Sequence, residues 1–313
     1  MPKSIVFLRK LKFFSETGKT IQKSGGDGRK MTIRTDLAVE AKALWEQSAR
    51  KTTKLEGVRA AERTRDGTEI TQVDILDERG RKALGKPVGT YVTLELPRYD
   101  RDVRKPAQTL GAELRELLAP AGDGCVLVAG LGNLSVTPDA LGPLTVSQLF
   151  LTRHLIAGLP AQFGQCRSVC AVAPGVLATT GIETLELVKG AVSHVRPQCV
   201  IAVDALASGS MERLCRTVQF SNTGLIPGSG VGNRRAAFDR ESLGIPVYSL
   251  GVPTVVDASA LCEQAQEQMI VTPRDIDAQV RYLSRVLAGG LNLALHPDLD
   301  YEDFVQFVPN TAI

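Results

Sequence analysis

Short runs of wholly apolar residues that close on glycine or aspartate constrain this chain more than any other feature. Cys125–Ala129 is one such run, closed by Gly130. Val169–Ala173 is a second. Cys199–Val203 is a third, closed by Asp204, and Pro246–Gly251 is a fourth that runs on through Pro253 to Asp257. A strand without polar alternates is covered on both faces, as inside a parallel sheet. Helical patterning over Thr145–Ala157 and Thr184–Val195 separates these runs, and Pro273–Ala288 reads as a terminal helix. Strands alternating with helices predict an α/β fold, a twisted, mainly parallel sheet flanked by helices with right-handed crossovers.

Charge divides the rest of the 313 residues. From Met31 to Asp123, 33 of 93 residues are charged, against 17 of 136 from Cys125 to Ala260, so the first stretch is expected on the surface and the second in the core. Asp36–Arg50 reads as a helix with Asp36 as its N-cap. Val58–Arg65 and Glu69–Ile75 flank Asp66-Gly67, a hairpin signal, Val88–Leu96 gives a third strand, and Ala107–Leu118 an amphipathic helix. The expectation is a β-hairpin-rich N-terminal section, inserted in or appended to the sheet. Residues 32–313 then form a single domain, with a β-rich section over 32–106 and an α/β core with its C-terminal helix over 107–313. His296–Ile313 reads as acidic and irregular.

Residues 1–30 carry eight Lys/Arg against Glu16 and Asp27, a charge of +6 on a chain whose net charge is +3. This head, residues 1–31, is too broken by Arg9, Lys10 and Lys12 for a secretory signal. Gly25, Gly26 and Gly28 make its end a flexible linker. A propeptide, a nucleic-acid arm and an upstream extension with Met31 as the start all fit it. No apolar run reaches the ~18 residues of a membrane span. Six cysteines at irregular spacing do not form a secreted disulfide framework, and Cys125, Cys170 and Cys199 read as small core hydrophobes in a reducing compartment.

In an open α/β sheet ligands bind beyond the carboxyl ends of the strands. Three carboxylates, Asp139, Asp204 and Asp257, follow strand ends and could converge on one rim. Each also fits a helix cap: Thr137-Pro138-Asp139 reads as a helix start, Asp204 as the cap of a helix through Met211 to Arg216, and Asp257 as the cap of Ala258–Met269. Two close carboxylates cannot both ionise cheaply, which gives one base for water and one acid for a leaving amine. Other chemistries lack their residues. There is no Gly-x-Ser-x-Gly elbow and no phosphate-loop motif. Gly130-Leu131-Gly132 lacks the third glycine of a dinucleotide fingerprint, and Gly228-Ser229-Gly230-Val231-Gly232 fits a tight loop or an anion nest. The three histidines are scattered, with His154 and His194 read as partly buried helix residues, so neither a histidine-rich metal site nor a Ser-His-Asp triad is expected.

Four segments resemble the germination protease family of endospore-forming bacteria. They are Arg34–Ala41; Gly130-Leu131-Gly132-Asn133 with Thr137–Pro143; Ile201–Ala207; and Gly224–Asn233 continuing to Leu243–Val247 and Gly251–Ala258. The resemblance runs from about Arg34 to His296. It implies a fold like that of the hydrogenase-maturation proteases, a homotetramer, and a zymogen that removes its own propeptide. It implies an aspartic-type endopeptidase that degrades small acid-soluble spore proteins in the cytoplasm of the spore core. The two essential aspartates fall on Asp139 and Asp204. Gly130, Gly132, Asn133, Ser229, Gly230 and Asp257 fall in substrate-binding or supporting positions. No cofactor or metal, no membrane and no direct nucleic-acid contact is expected. The family cleaves after Glu, whereas Arg29-Lys30-Met31 precede Thr32 here, so self-cleavage lies elsewhere or Met31 is the start. Two other classes stay open: a metal-dependent maturation-type protease, and a non-enzymatic module whose basic head binds nucleic acid.

Overall fold

A computed structural model of the chain describes residues 35–48, 55–97, 102–229, 235–258 and 269–307. The basic head lies outside the described residues, as does most of Ala258–Met269. Among the described residues nine strands form one sheet: β1 (Val58–Arg65), β2 (Thr68–Ile75), β3 (Gly89–Glu95), β4 (Val126–Gly130), β5 (Val169–Val172), β6 (Cys199–Ser208), β7 (Thr217–Ser221), β8 (Val247–Asp257) and β9 (Ile270–Val271). Their order is β1-β2-β3-β7-β8-β6-β4-β5, with β9 paired to β8.

The sheet is mixed, not mainly parallel. β5, β4, β6 and β8 pair in parallel. The other five described pairs are antiparallel. β7 is the element that changes the balance. It folds back along β8 and receives β3, so the charged N-terminal strands extend the same sheet at one edge. Asp66 and Gly67 turn β1 into β2 with φ of 52° and 79°, the two positive values a two-residue turn of this hand requires.

Alternation along the central strands explains their apolar runs. Val126 and Val128 of β4 join Cys199, Ile201 and Val203 of β6 in one buried cluster, which packs under Leu110 and Leu114 of the helix Arg104–Leu118 and Leu283 and Leu287 of the helix Ile276–Leu295. Leu127 and Ala129, with Val200 and Ala202, face the opposite cluster under Leu185 and Val188 of the helix Thr184–Val195. With both faces covered, these positions are shut off from water.

Other expectations are corrected by long-range contacts. The helix anticipated over Thr145–Ala157 is two short helices, Leu141–Val146 and Arg153–Gly158. Between them the Phe150 amide donates to Asn292 Oδ1 at 2.9 Å, and Asn292 Nδ2 donates to the Gln148 carbonyl at 3.2 Å. The terminal helix runs to Leu295. His296 is buried, and Tyr301–Phe307 is helical where irregular chain was expected. The charged stretch also contributes to the interior: buried Glu113 pairs with Arg65 at 2.9 Å and with Arg63. Among the described residues, no helix is long and apolar enough to cross a membrane.

Candidate active site

β4 stops at Gly130, opposite Val203, while β6 and β8 run on together to Ser208 and Val256. The Leu131 amide still donates to the Val203 carbonyl at 2.8 Å, and the chain then leaves the sheet. Asp204 is therefore the first residue of β6 beyond the end of β4, on the face that carries Val200 and Ala202. The loop after β4 folds back over this step. Its tight points are Gly132 and Gly142. At Gly132, φ is +113° and a Cβ would sit 2.0 Å from the Asp139 carbonyl oxygen. At Gly142, a Cβ would sit 2.2 Å from the Leu131 oxygen and 2.5 Å from the Val203 oxygen.

Those approaches bring Asp139 back toward Asp204. Thr137–Asp139 makes a single 3-10 turn whose first flanking residue is Val136, so Thr137 is not its cap. Thr137 Oγ1 instead donates to Asp277 Oδ1 at 2.9 Å. From below, the buried Thr254 of β8 donates to the Pro138 carbonyl at 2.7 Å. The Asn133 amide donates to Asp139 Oδ2 at 2.8 Å, and Asn133 Oδ1 closes its own turn by accepting the Ser135 amide at 3.0 Å.

Asp204 is 5% exposed. It caps no helix: it lies within β6, and Ser210 caps the short turn Met211–Arg213. Its Oδ1 accepts the Ala205 amide at 2.9 Å. Burial, then the negative charges of Asp139 and Asp36, hold its carboxyl well above the usual carboxylate range, against the opposing Ala205 bond. Asp139 is half-buried. Desolvation raises its carboxyl too, while the Asn133 amide and the charge of Arg235 pull the other way. The two carboxyls feel each other, and Asp204 is the one held to its proton more firmly.

A third carboxylate at this site was not anticipated. Asp36 does not cap the helix Ala38–Ser48, because Thr35 Oγ1 accepts the Leu37 amide in that place, at 3.0 Å. Asp36 instead lies along the end of β6. Its amide donates to the Ala207 carbonyl at 2.9 Å, and its Oδ2 accepts the Ala207 amide at 2.9 Å. Ser229 Oγ donates to Asp36 Oδ1 at 2.6 Å. Gln219 Nε2 and Lys86 Nζ both donate to the Asp36 carbonyl, at 3.0 and 2.9 Å. Burial lowers the Lys86 ammonium from its usual range against the pull of Asp36 and Glu40. Glu40 is itself buried and holds Ser208 Oγ and the Gly209 amide, each at 2.7 Å. The only signal that could have found Asp36 was the Thr-Asp-Leu-Ala segment, which reads equally well as a helix start.

Over residues 37–269 the chain matches the family described as germination protease. A germination protease of Caldanaerobacter subterraneus subsp. tengcongensis is 44% identical, covering 88% of this chain and 98% of its own. One of Clostridium perfringens is 39% identical over 88% of this chain and 99% of its own. One of Bacillus cereus is 43% identical over 75% of this chain and 66% of its own. The chain belongs to the germination protease family. Family membership indicates a peptidase acting on protein substrates, and the matched region includes Asp139, Asp204 and Ser229.

The remaining candidates fall apart from the pair. Asp257 ends β8, six residues past the Gly251 that faces Asp204, so about 20 Å further along the strand. There it pairs with Ile270 of β9, and it does not converge with Asp139 and Asp204. Gly230 lies outside the described residues. Gly130 allows close packing of the returning loop, since a Cβ there would meet the Gly142 carbonyl oxygen at 2.4 Å. A metal of the kind carried by maturation proteases does not fit the residues present. Among the described residues no three His, Cys, Asp or Glu are grouped to hold an ion. His154 and His194 are exposed on their helices, contrary to expectation, and His296 is buried against Phe150. Cys199 is buried, and its thiol is pushed up to about 11, chiefly by desolvation, as suits a core hydrophobe. Cys125 and Cys170 are half-buried neighbours at the β4–β5 edge.

Proposed function

We propose that this germination protease cuts its substrates with the Asp139/Asp204 pair. The observation that carries the reading is the contrast between the carboxyls: Asp204 is enclosed within a strand, and Asp139 is half-buried on the loop above it. Asp204 keeps the proton. Asp139 ionises first and takes a proton from water as that water attacks the scissile carbonyl. Asp204 donates toward the carbonyl oxygen, and the proton gained by Asp139 passes to the leaving amine. The water oxygen bonds the carbonyl carbon, the C–N bond breaks as the amine takes the Asp139 proton, and a hydroxyl proton of the intermediate returns to Asp204 as the new carboxyl forms, so both carboxyls end as they began.

The substrates are small acid-soluble spore proteins, taken as extended chains in the cytoplasm of the spore core. The protein works as a homotetramer and is made as a zymogen. The head, residues 1–31, is a propeptide or an upstream extension, and residues 32–313 are the peptidase domain. The test is incubation with an unfolded small acid-soluble spore protein, with and without chelator, using the full chain and a chain that starts at Thr32. Cleavage that survives the chelator and rises on removal of the head supports the reading. Cleavage abolished by the chelator supports a metal-dependent protease instead. A full chain already as active as the shortened one rejects the zymogen, and no cleavage by either rejects the peptidase assignment.

A further inference from the structure

We propose that the groove between the short helix after Asp139 and the terminal helix is an exosite for an acidic segment of the substrate polypeptide, with Arg281 and Arg285 as its recognition residues. The segment it holds lies outside the bond that is cut, and the inference rests on the proposed peptidase reaction.

The groove encloses about 410 Å³. One wall is the helix Leu141–Val146 with its flanking residues, and the other is the N-terminal half of the helix Ile276–Leu295. Ala140, Leu144 and Val280 give it apolar lining. Leu134, which also lines it, is 62% exposed, a large apolar side chain left to water on the loop after β4. Thr137 and Ala140 flank Asp139, so the groove begins at the turn that bears this carboxyl. Its walls are tied together twice. Thr137 Oγ1 donates to Asp277 Oδ1 at 2.9 Å, and Gln148 Nε2 donates to the Leu144 carbonyl at 2.7 Å and to Ser284 Oγ at 3.0 Å. A groove held open in this way costs little ordering when it is filled.

The helix wall carries charge that the protein leaves unanswered. Asp277 stands four residues before Arg281, a spacing at which such a pair ordinarily bonds. Here the Asp277 carboxylate is taken by Thr137, and Arg281 Nε donates to the Asp277 main-chain carbonyl at 3.2 Å. Arg285 follows one turn later. Both arginines are exposed, and neither forms an ion pair among the described residues. Like charges four apart on a helix repel, and an acidic ligand between them removes that cost.

The lining decides what kind of acid fits. Guanidinium groups bind carboxylates and phosphates alike. A nucleic-acid strand needs aromatic side chains on which its bases stack, and no aromatic residue lines the groove. The apolar lining suits a peptide whose acids stand beside apolar side chains. From Asp277 to Arg285 the helix rises about 12 Å, the reach of roughly four residues of extended chain, so the segment is short.

The test is cleavage of a small acid-soluble spore protein by wild type and by Arg281→Gln/Arg285→Gln, in the form of the protein that cleaves it. The double substitution should raise KM about 3- to 10-fold and leave kcat within about twofold. Added salt should raise the wild-type KM more than that of the variant. A second substrate carries Asn and Gln in place of Asp and Glu everywhere except beside the cut. Wild type should show the raised KM on it, and the double substitution should then cost nothing further. Equal KM of wild type for the two substrates overturns the proposal, as does a cost of the double substitution that persists in full on the neutralised one. Should the double variant melt early, Arg285→Gln alone is read in the same way, because Arg285 makes no hydrogen bond among the described residues. An unchanged KM beside an altered mass of the assembly assigns the groove to a second copy of the chain and overturns the proposal. So does an unchanged KM beside lost retention of single-stranded DNA. The KM comparison holds whichever residues cut the bond, whereas failure of the pair shows as cleavage surviving in Asp204→Asn.

Discussion

Gly142 lies against Val203 so closely that a Cβ on the glycine would meet the Val203 carbonyl oxygen at 2.5 Å. Val203 is the residue before Asp204, and Gly142 follows Asp139 by three. This contact therefore sets how far apart the two carboxyls stand. The atoms in the way are backbone, so a side chain at 142 must push the whole loop outward. Gly142→Ala should cost about 1–3 kcal/mol of stability and lower activity about 100-fold, read from melts and cleavage rates. The contrasting change is Gly190→Ala in the exposed middle of the helix Thr184–Val195, where an added Cβ meets nothing within 4 Å. It should raise stability by about 0.5–1 kcal/mol and leave cleavage alone.

Asp139→Asn and Asp204→Asn should each lower cleavage about 100- to 10,000-fold. The fold should survive both. At 139 the asparagine oxygen still accepts the Asn133 amide, and at 204 it still accepts the Ala205 amide. Asp257→Asn should be mild, since Asp257 sits at the β9 end of β8. Melts close to wild type beside lost activity check the pair, and retained activity in either variant of the pair refutes it.

The central strands were legible because burial on both faces leaves an unmistakable run of apolar residues. Cys125–Ala129 became Val126–Gly130 with a shift of one residue, and Thr184–Val195 matched its helix. β6 was read too short because Asp204 is charged in water and normally ends such a run. It continues to Ser208 because its ladder with β8 continues past Asp204 to Val256. β7 was missed altogether: Met211–Arg216 has helix-forming residues, but the chain turns at Cys215 with φ of 56° and enters a strand whose five positions are all buried. Both aspartates of the pair could be picked from their places after apolar runs. Asp36, Lys86 and Arg235 could not, since their roles depend on contacts with β6 and the loop after β4, and no local pattern encodes those.

Two buried groups should give stability opposite pH slopes. The Asp204 carboxyl is raised in the folded protein, so its contribution is full below the ordinary carboxylate pKa of 3.8 and is lost as pH rises toward the folded value. His296 is lowered from 6.5 to about 4, chiefly by desolvation. Its Nε2 faces the Phe150 carbonyl at 3.2 Å, which calls for a proton on that nitrogen, and its buried Nδ1 has no partner among the described residues. Here the folded state favours the neutral ring, so stability is present above pH 6.5 and is lost as pH falls from there to about 4, by up to about 3 kcal/mol. Asp204→Asn should gain stability over wild type as pH rises from 4 to 8. His296→Gln, which keeps a donor for Phe150, should flatten the acid side. Melts of the three proteins across that range check both signs, and parallel curves would refute them.

The pH dependence of the rate follows from the same pair. Catalysis requires one proton shared by two carboxyls, so the rate falls on both sides of the singly protonated state. Desolvation raises both groups, and Asp204 is raised further by the charges of Asp139 and Asp36. The acid limb, where the first carboxyl of the pair ionises, should therefore lie above the 3.8 of an ordinary aspartate. The alkaline limb, where the second proton leaves, should lie higher still, because that step places a second negative charge in an enclosed site. Arg235 bears on the first limb alone. Its charge favours ionised Asp139, so Arg235→Gln should move the acid limb to higher pH and leave the alkaline limb in place. A profile of kcat/KM against pH for wild type and Arg235→Gln reads both limbs at once. A single limb in wild type, or an acid limb that moves down when Arg235 is neutralised, would show that the two aspartates do not share the proton that drives cleavage.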